Sequence, residues 1–264
     1  MSVTYALDGE IAVVTLHRPE ARNAVDGPTA RALYEAFQRF DADGNAKVAV
    51  LTGGGGQFCA GADLKGIGTD RANPVHRTGD LGPMGPTRMI LSKPVIAAIE
   101  GFAVAGGLEL ALWCDLRVAA EGATFGVFCR RFGVPLIDLG TVRLPRLIGQ
   151  SRAMDLILTG RPVAADEALA IGLANRIAPD GQALEVALDL ARQIAAFPQT
   201  CLRNDRRSAL AQWSLDWDAA AAFEIGVGLQ TLQSGEAAAG AARFGGGEGR
   251  GGAFQQAVRV STRP

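Results

Sequence analysis

The sequence predicts an α/β core followed by a helical C-terminal part. Short predicted strands alternate with helices through the first part of the chain. Beyond them, helical periodicity runs with brief interruptions over 184–233, and a Gly/Ala-rich tail follows over 237–252. We therefore expect an α/β domain over 1–195 and a helical region with its tail over 196–264.

The first predicted elements are a hairpin and a helix. Alternating residues over 5–16 surround the turn sequence Asp8-Gly9-Glu10, which predicts two short antiparallel strands. Pro19 cannot continue a central strand, so a loop is expected after the hairpin. Pro28 suits the first turn of a helix, and apolar residues recur at helical spacing over 32–40.

Two apolar runs rich in β-branched residues predict buried strands farther along. Residues 47–52 form the first run, which ends at a series of glycines, and residues 94–99 form the second. Between them, residues 66–88 contain many Gly, Pro and Thr and show little periodicity. We expect a mobile excursion there, with at most one short helix.

Short strands and helices then continue the alternation. They are expected over 116–119 (strand), 124–126 (strand), 144–148 (helix), 151–159 (helix), 166–170 (helix) and 175–177 (strand). Residues 130–139 are a predicted loop, Ser151 is a natural N-cap, and Gly172 ends the short helix before it.

Composition excludes several classes of protein. The chain is 48% hydrophobic and 20% charged with a formal net charge of -1, which is typical of a globular domain and gives no electrostatic basis for binding nucleic acid. No apolar run approaches the roughly 18 residues of a membrane span. The N-terminal residues lack a basic segment followed by an apolar one, so we expect no signal peptide. None of the 4 cysteines belongs to a CxxC pair, so we expect no zinc site, no disulfide framework and a cytoplasmic location with reduced thiols.

The stretch from Glu100 to Asp115 carries the strongest chemical signal. It passes from a buried strand through Gly106-Gly107 into good helix formers. Glycines at a helix start allow close approach and leave amide N–H groups directed at an anion. Glu109 lies one turn further on the same face, where an acid costs free energy unless it is paired or used. Amides beside a carboxylate form a catalytic arrangement, whereas the alternatives are a tight packing point and an Arg partner for the acid.

The sequence resembles the crotonase (enoyl-CoA hydratase/isomerase) superfamily in two separated motifs, FCAGADLK at 58–65 and GFAVAGGLELALWCDLRVA at 101–119. The resemblance extends to HRPEARNAV at 17–25 and covers nearly the whole chain. It implies a spiral core of repeated ββα units, a C-terminal helical region that builds trimers or pairs of trimers, and an acyl-CoA substrate. In that family two backbone amides bind the thioester oxygen as it becomes an enolate, and the matching positions are Ala62 and Gly106.

Further positions match segments that contact CoA in that family. The implied substrate- and CoA-contacting residues are Arg22, Ala24, Ala60, Ala62, Asp63, Leu64, Lys65, Gly106 and Cys129. Arg22 could face a phosphate, and Lys65 could either meet a phosphate or be an ordinary surface residue. Asp63 matches the acid of the motif and is better explained as a turn or cap residue than as a reacting group.

The sequence departs from the hydratase pattern at one informative position. Glu109 matches one of the two glutamates of the hydratases, whereas Cys129 stands where the second would be. Hydration in these enzymes uses both carboxylates to hold and activate one water, so ordinary hydratase activity is not assumed. We interpret Cys129 as a small pocket-lining residue rather than a nucleophile.

Asp138 offers a substitute carboxylate. It lies just ahead of the helical text RLPRLIG, in a place similar to that of the active-site Asp of dienoyl-CoA isomerases in the same superfamily. The alternatives are that Asp138 caps the helix after Gly140 or pairs with Arg143. Arg130 and Arg131 flank Cys129 and could hold an acidic acyl group or pair with surface acids.

The expected function is that of an acyl-CoA thioester enzyme of the enoyl-CoA hydratase/isomerase type. Ala62 and Gly106 would form the oxyanion hole, with Glu109 and Asp138 as catalytic groups. The alternatives are thioester hydrolysis, decarboxylation with Arg130 as a carboxylate anchor, and a CoA-binding subunit with little catalysis. The expected partners are the acyl-CoA substrate and further copies of the chain in a homotrimer or a dimer of trimers. No metal, no cofactor beyond the CoA of the substrate, no nucleic acid and no membrane are expected.

Overall fold

In the computed structural model, which describes residues 1–249 and 251, the chain builds one six-stranded sheet and one three-stranded sheet. The strands are β1 (Val3–Asp8), β2 (Ile11–Leu16), β3 (Val48–Gly53), β4 (Val95–Ile99), β5 (Phe102–Val104), β6 (Leu116–Ala120), β7 (Thr124–Gly126), β8 (Pro162–Ala164) and β9 (Arg176–Ala178). The larger sheet has the order β1-β2-β3-β4-β6-β9, and the smaller has the order β5-β7-β8. This mixed α/β architecture confirms the predicted fold class.

Helices connect these strands and then continue alone. They are α1 (Gly27–Ala42), α2 (Gly106–Trp113), α3 (Gly140–Ile148), α4 (Gln150–Thr159), α5 (Ala165–Ala170), α6 (Ala183–Ala195), α7 (Gln199–Ala211), α8 (Trp217–Gln233) and α9 (Glu236–Gly245). None of the helices in the described part of the chain is long and apolar enough to cross a membrane.

The N-terminal hairpin forms as the sequence predicts. β1 and β2 pair antiparallel with Asp8 opposite Ile11, and Gly9 adopts the left-handed φ of +60° that the tight turn requires. Every later pair in the larger sheet is parallel, and β4 is buried along its whole length. Strands buried on both faces explain the continuous apolar runs in the sequence.

Helix α1 follows directly from its sequence signals. The Asp26 side chain caps it by accepting a hydrogen bond from the amide of Thr29, and Pro28 occupies the first turn. Its buried face includes Phe37, whose ring meets that of Trp113 edge-on at a centroid distance of 4.7 Å.

Three expected details are wrong. β5 and β8 were not predicted, because what makes each of them a strand is its pairing with β7. Ser151 is not an N-cap, since α4 already begins at Gln150 and Gly149 precedes it. Helix α3 begins at Gly140, four residues before the predicted start at Leu144, and the prediction missed this first turn because Gly140, Thr141 and Val142 have low helix propensity.

The structure differs between the excursion at residues 66–88 and the C-terminal tail. One short 3₁₀ helix, Pro86–Arg88, lies wholly within the excursion, in agreement with the expected short helix, and the end of another, Leu64–Gly66, enters it at Gly66. By contrast, α9 lies inside the predicted Gly/Ala-rich tail, where alanine supplies the helix propensity. Residues 250 and 252 of that predicted tail lie outside the described residues.

The chain divides into two compact units, residues 1–191 and the described residues from 192 onward. The first contains both sheets and a continuous core of buried aliphatic and aromatic side chains. In the second, Asn204 on α7 donates hydrogen bonds to the Val227 carbonyl and the Thr231 hydroxyl on α8, at 3.1 and 2.9 Å. Several large apolar side chains of this unit are exposed, with Trp217 at 85%.

Candidate active site

A cavity of about 300 Å³ lies in the first unit, where helix α2 begins. Its walls come from residues 60–68, 72–84, 105–109 and 128–138. Most of the lining side chains are apolar. The lining side chains with polar groups or a thiol are those of Asn73, Cys129, Glu109 and Asp138. The cavity therefore offers a hydrocarbon surface with two carboxyl groups.

The backbone makes an unusual turn as it enters α2. Ala105, the residue before the helix, has a φ of +53°, which a side chain disfavours and which costs about 1–3 kcal/mol. Gly107 allows the close approach of the neighbouring segment, because a Cβ there would lie 2.1 Å from the Cys59 carbonyl oxygen. The close approach inferred from the two glycines is thus confirmed at Gly107.

The backbone amides of Ala62, beside Gly61, and of Gly106, at the start of α2, have no protein acceptor among the described residues. Both residues line the cavity. A Cβ added to Gly61 would lie 3.0 Å from the Gly106 nitrogen, so the two segments touch. Unpaired amide N–H groups at a cavity wall can donate hydrogen bonds to an oxyanion, and Gly106 adds the positive end of a helix.

Glu109 lies on the first turn of α2 and is 2% exposed. Its Oε1 accepts hydrogen bonds from the amides of Asp138 and Gly140 at 2.9 and 2.8 Å. The partners of this buried acid are therefore backbone amides, and the alternative of an Arg partner is wrong. Burial, and secondarily the charge of Asp138, raises the pKa of Glu109 to about 8 despite these two hydrogen bonds.

Asp138 is equally buried, at 2% exposure, and lies on the same cavity wall. Its Oδ1 accepts hydrogen bonds from the Met84 amide at 3.0 Å and from the Thr87 hydroxyl. Burial raises the pKa of Asp138, and the hydrogen bonds from Thr87 and Met84 oppose that rise. The capping alternative is wrong, since Leu139 precedes α3 as its N-cap. Arg143 bonds the Asp138 carbonyl rather than the carboxylate, at 3.1 Å.

Cys129 lies where the sequence places it, as a buried residue on the cavity wall. Burial, with a smaller contribution from the charge of Glu109, raises the pKa of its thiol. A thiol held in its neutral form is a poor nucleophile.

The two arginines beside Cys129 are used elsewhere. Arg130 Nε donates to the Ile157 carbonyl at 3.0 Å, and Arg131 donates to the Gly160 carbonyl at 3.4 Å. Neither is among the cavity-lining residues, and their hydrogen-bond partners are carbonyl groups rather than surface acids. The cavity therefore has no arginine from this pair to hold an acidic acyl group.

The expected CoA-contacting residues fall into two groups. Ala60, Ala62 and Leu64 line the cavity, as do Gly106 and Cys129. The others are set back from the wall, and they are Arg22, Ala24, Asp63 and Lys65.

Those set back have identifiable surroundings. The Arg22 guanidinium lies 5.9 Å from the centroid of the Phe102 ring, and Lys65 is exposed. Asp63 accepts a hydrogen bond from the Lys65 amide at 3.2 Å and pairs with Arg18 at 2.9 Å, so it is a cap and ion-pair residue as expected. Arg18 also donates to the Ala24 carbonyl at 2.6 Å, which joins the two segments assigned to CoA.

Sequence reasoning missed Met84 and Thr87, which supply the hydrogen bonds to Asp138. They lie 54 and 51 residues before it, in the excursion without periodicity. No local pattern marks such contacts. A buried Asp needs donors, so the sequence signals their existence but not their position.

Comparison with known proteins gives a consistent result. A profile described as enoyl-CoA hydratase/isomerase matches residues 7–254. The enoyl-CoA hydratase EchA19 of Mycobacterium tuberculosis is 36% identical over 240 residues, covering 89% of this chain and 90% of the relative. A carnitinyl-CoA dehydratase of Salmonella typhi is 41% identical over 189 residues, covering 71% and 72%. Among solved structures, enoyl-CoA hydratase EchA1 of Mycobacterium marinum superposes with a TM-score of 0.87 at 36% identity, covering 93% of this chain and 96% of the other.

Proposed function

The chain belongs to the enoyl-CoA hydratase/isomerase family, and from this premise we propose that it transfers protons at the double bond of an enoyl-CoA thioester. One observation carries the proposal. Two amides without a protein acceptor and two buried carboxyl groups share the wall of one apolar cavity.

The amides of Ala62 and Gly106 are proposed to hold the thioester oxygen. Removing a proton next to the thioester carbonyl moves negative charge onto that oxygen. Fixed N–H dipoles need no reorganisation when the charge appears, and one such donor is worth about 3 kcal/mol. The nearby helix start of α2 adds to this stabilisation.

Glu109 and Asp138 are proposed to move the protons. Burial raises the pKa of Glu109 to about 8, so this carboxyl group can hold a proton at neutral pH. Burial also raises the pKa of Asp138, and the hydrogen bonds from Thr87 and Met84 oppose that rise. One carboxyl group can then donate while the other accepts. Such a pair can move a proton along the acyl chain or activate a water, which are the requirements of isomerisation and hydration. The proposed chemistry uses protein groups and the thioester alone, with no metal or additional cofactor.

The competing functions have weaker support. Decarboxylation would need an anchor for an acidic acyl group, and Arg130 binds the Ile157 carbonyl instead. A CoA-binding subunit would gain nothing from two buried carboxyl groups, because burying them costs free energy. No observation favours thioester hydrolysis over double-bond chemistry.

The test is hydrogen exchange in D2O at the α-carbon of a saturated acyl-CoA, followed by mass, beside turnover of 2-enoyl- and 3-enoyl-CoA. Glu109→Gln and Asp138→Asn should each lower exchange or turnover by about 10²-fold or more. Glu10→Gln, which changes an exposed carboxyl group, is the matched control and should leave both rates unchanged. Normal rates in both active-site variants would refute the assignment.

We also propose that the protein is a cytoplasmic homotrimer or dimer of trimers. Support for association comes from the exposed apolar side chains of the C-terminal unit, including Trp217 at 85%, Leu232 at 63% and Ile225 at 61%. Support for the location comes from the cysteines, all of which are free. Sedimentation equilibrium would reveal a monomer if the proposed assembly is wrong.

A further inference from the structure

Thr87 is a fully buried polar residue that no part of the chemistry above uses. It lies in the 3₁₀ turn at Pro86–Arg88 and is 0% exposed. Its hydroxyl donates a hydrogen bond to Asp138 Oδ1, which also accepts a hydrogen bond from the Met84 amide. No hydrogen bond from the described residues reaches Asp138 Oδ2. One oxygen of the carboxyl group is therefore held by the protein, and the other is left for a reacting group.

Arg143 fixes Thr87 and Asp138 relative to each other. Its Nη2 donates to the Thr87 carbonyl at 2.8 Å, and its Nη1 donates to the Asp138 carbonyl at 3.1 Å. The planar guanidinium thus spans the two backbones while the Thr87 hydroxyl joins the side chains. Its positive charge also lies close enough to both Glu109 and Asp138 to oppose the rise in their pKa values.

The surrounding backbone leaves little freedom for this arrangement. A Cβ added to Gly82 would lie 2.2 Å from the Thr87 hydroxyl and 2.8 Å from Asp138 Oδ1. Gly82 therefore admits the hydroxyl–carboxyl contact that any side chain would disrupt. The contact is therefore tightly packed.

Thr87 is not among the cavity-lining residues, and its hydroxyl contacts Asp138, so its effect on the substrate would pass through Asp138. We propose that Thr87, held by Arg143, is a positioning residue that orients the Asp138 carboxyl group with Oδ2 available to the substrate. This inference rests on the proposed catalytic role of Asp138.

The experiment compares the variants Thr87→Val, Thr87→Ser and Asp138→Asn in the full chain. For each variant, kcat is measured as a function of pH, and KM is measured for the enoyl-CoA or exchange substrate. Valine keeps the shape of threonine and removes the hydroxyl, whereas serine keeps the hydroxyl. Loss of this hydrogen bond disfavours the carboxylate, so the limb of the pH profile that Asp138→Asn abolishes should move to higher pH by about one unit.

The expected result for Thr87→Val is a fall in kcat of about tenfold with KM within about twofold, and recovery in Thr87→Ser. Because Thr87 acts through Asp138, the double variant Thr87→Val/Asp138→Asn should be no slower than Asp138→Asn alone. Thermal unfolding of each variant separates this effect from a loss of folded protein.

Two outcomes distinguish the two proposals. If Asp138→Asn is fully active, the proposed function of Asp138 is wrong. If Asp138→Asn is impaired while Thr87→Val shows an unmoved pH profile, or Thr87→Ser fails to recover, the positioning role of Thr87 is wrong and the proposed function stands.

Discussion

Replacing Glu109 by glutamine should stabilise the folded protein while it impairs catalysis. The carboxyl group is 2% exposed, and its pKa is raised from an ordinary 4.5 to about 8. A carboxyl group whose pKa is raised by folding binds its proton more tightly in the folded state. The folded protein therefore has the full stability contribution of Glu109 below about pH 4.5, and this contribution is lost as the pH rises through about 8.

The size of the effect follows from the two pKa values. One pKa unit corresponds to about 1.4 kcal/mol. The change in the pKa from 4.5 to about 8 therefore lowers the free energy of unfolding by about 5 kcal/mol above pH 8 and by about 3 kcal/mol at pH 7. Glutamine stays neutral at every pH, and its side-chain oxygen can still accept hydrogen bonds from the amides of Asp138 and Gly140. The stability difference between Glu109→Gln and the parent should therefore be near zero at pH 4.5 and grow with pH.

Urea unfolding of both proteins from pH 4.5 to 9, at one fixed protein concentration, measures this difference. The same comparison in an Asp138→Asn background should give a smaller difference, because the charge of Asp138 contributes to the raised pKa of Glu109. A stability difference that does not change between pH 5 and 9 would refute the raised pKa.

Three further substitutions test other parts of the site. Gly61→Ala should lower kcat by about 10²-fold, because the added methyl group lies 3.0 Å from the Gly106 nitrogen at a backbone φ of +100°; unchanged turnover would exclude this amide from the chemistry. Cys129→Ala should keep activity within about threefold, and the parent thiol should react slowly with iodoacetamide at pH 7, since its pKa is raised; loss of turnover in Cys129→Ala would indicate a covalent role. Arg18→Met should raise the KM for acyl-CoA by about tenfold with little change in kcat, because it removes the ion pair to Asp63, and an unchanged KM would contradict that link.

The sequence is sufficient to predict the main sheet and the helices because their signals are local. Hairpin turn residues, the Pro28 helix start and buried apolar runs all act within a few positions of the structure they cause. β5 and β8 were missed because what makes them strands is pairing with β7 rather than a pattern of their own.

The two carboxyl groups of the candidate site could be named from the sequence, but their contacts could not. Glu109 is conspicuous as the acid in an apolar helix, whereas Asp138 was identified from its resemblance in position to the active-site Asp of dienoyl-CoA isomerases. Their mutual hydrogen bonding through the Asp138 amide, and the contact of Thr87 with Asp138, depend on how distant segments pack. Such contacts leave no trace at a fixed sequence spacing.

The cavity described above has an enclosed part, which holds the buried carboxyl groups, and an exposed part. Glu109 is almost completely enclosed, whereas the wall residues Ile67, Val75 and Phe132 are 63%, 66% and 69% exposed. Substitutions at exposed positions usually change stability by less than about 0.5 kcal/mol. Selection, natural or in the laboratory, can therefore reshape the exposed part of the pocket through these three positions while the fold and the buried carboxyl groups persist, which gives this scaffold a low-cost route to a differently shaped pocket.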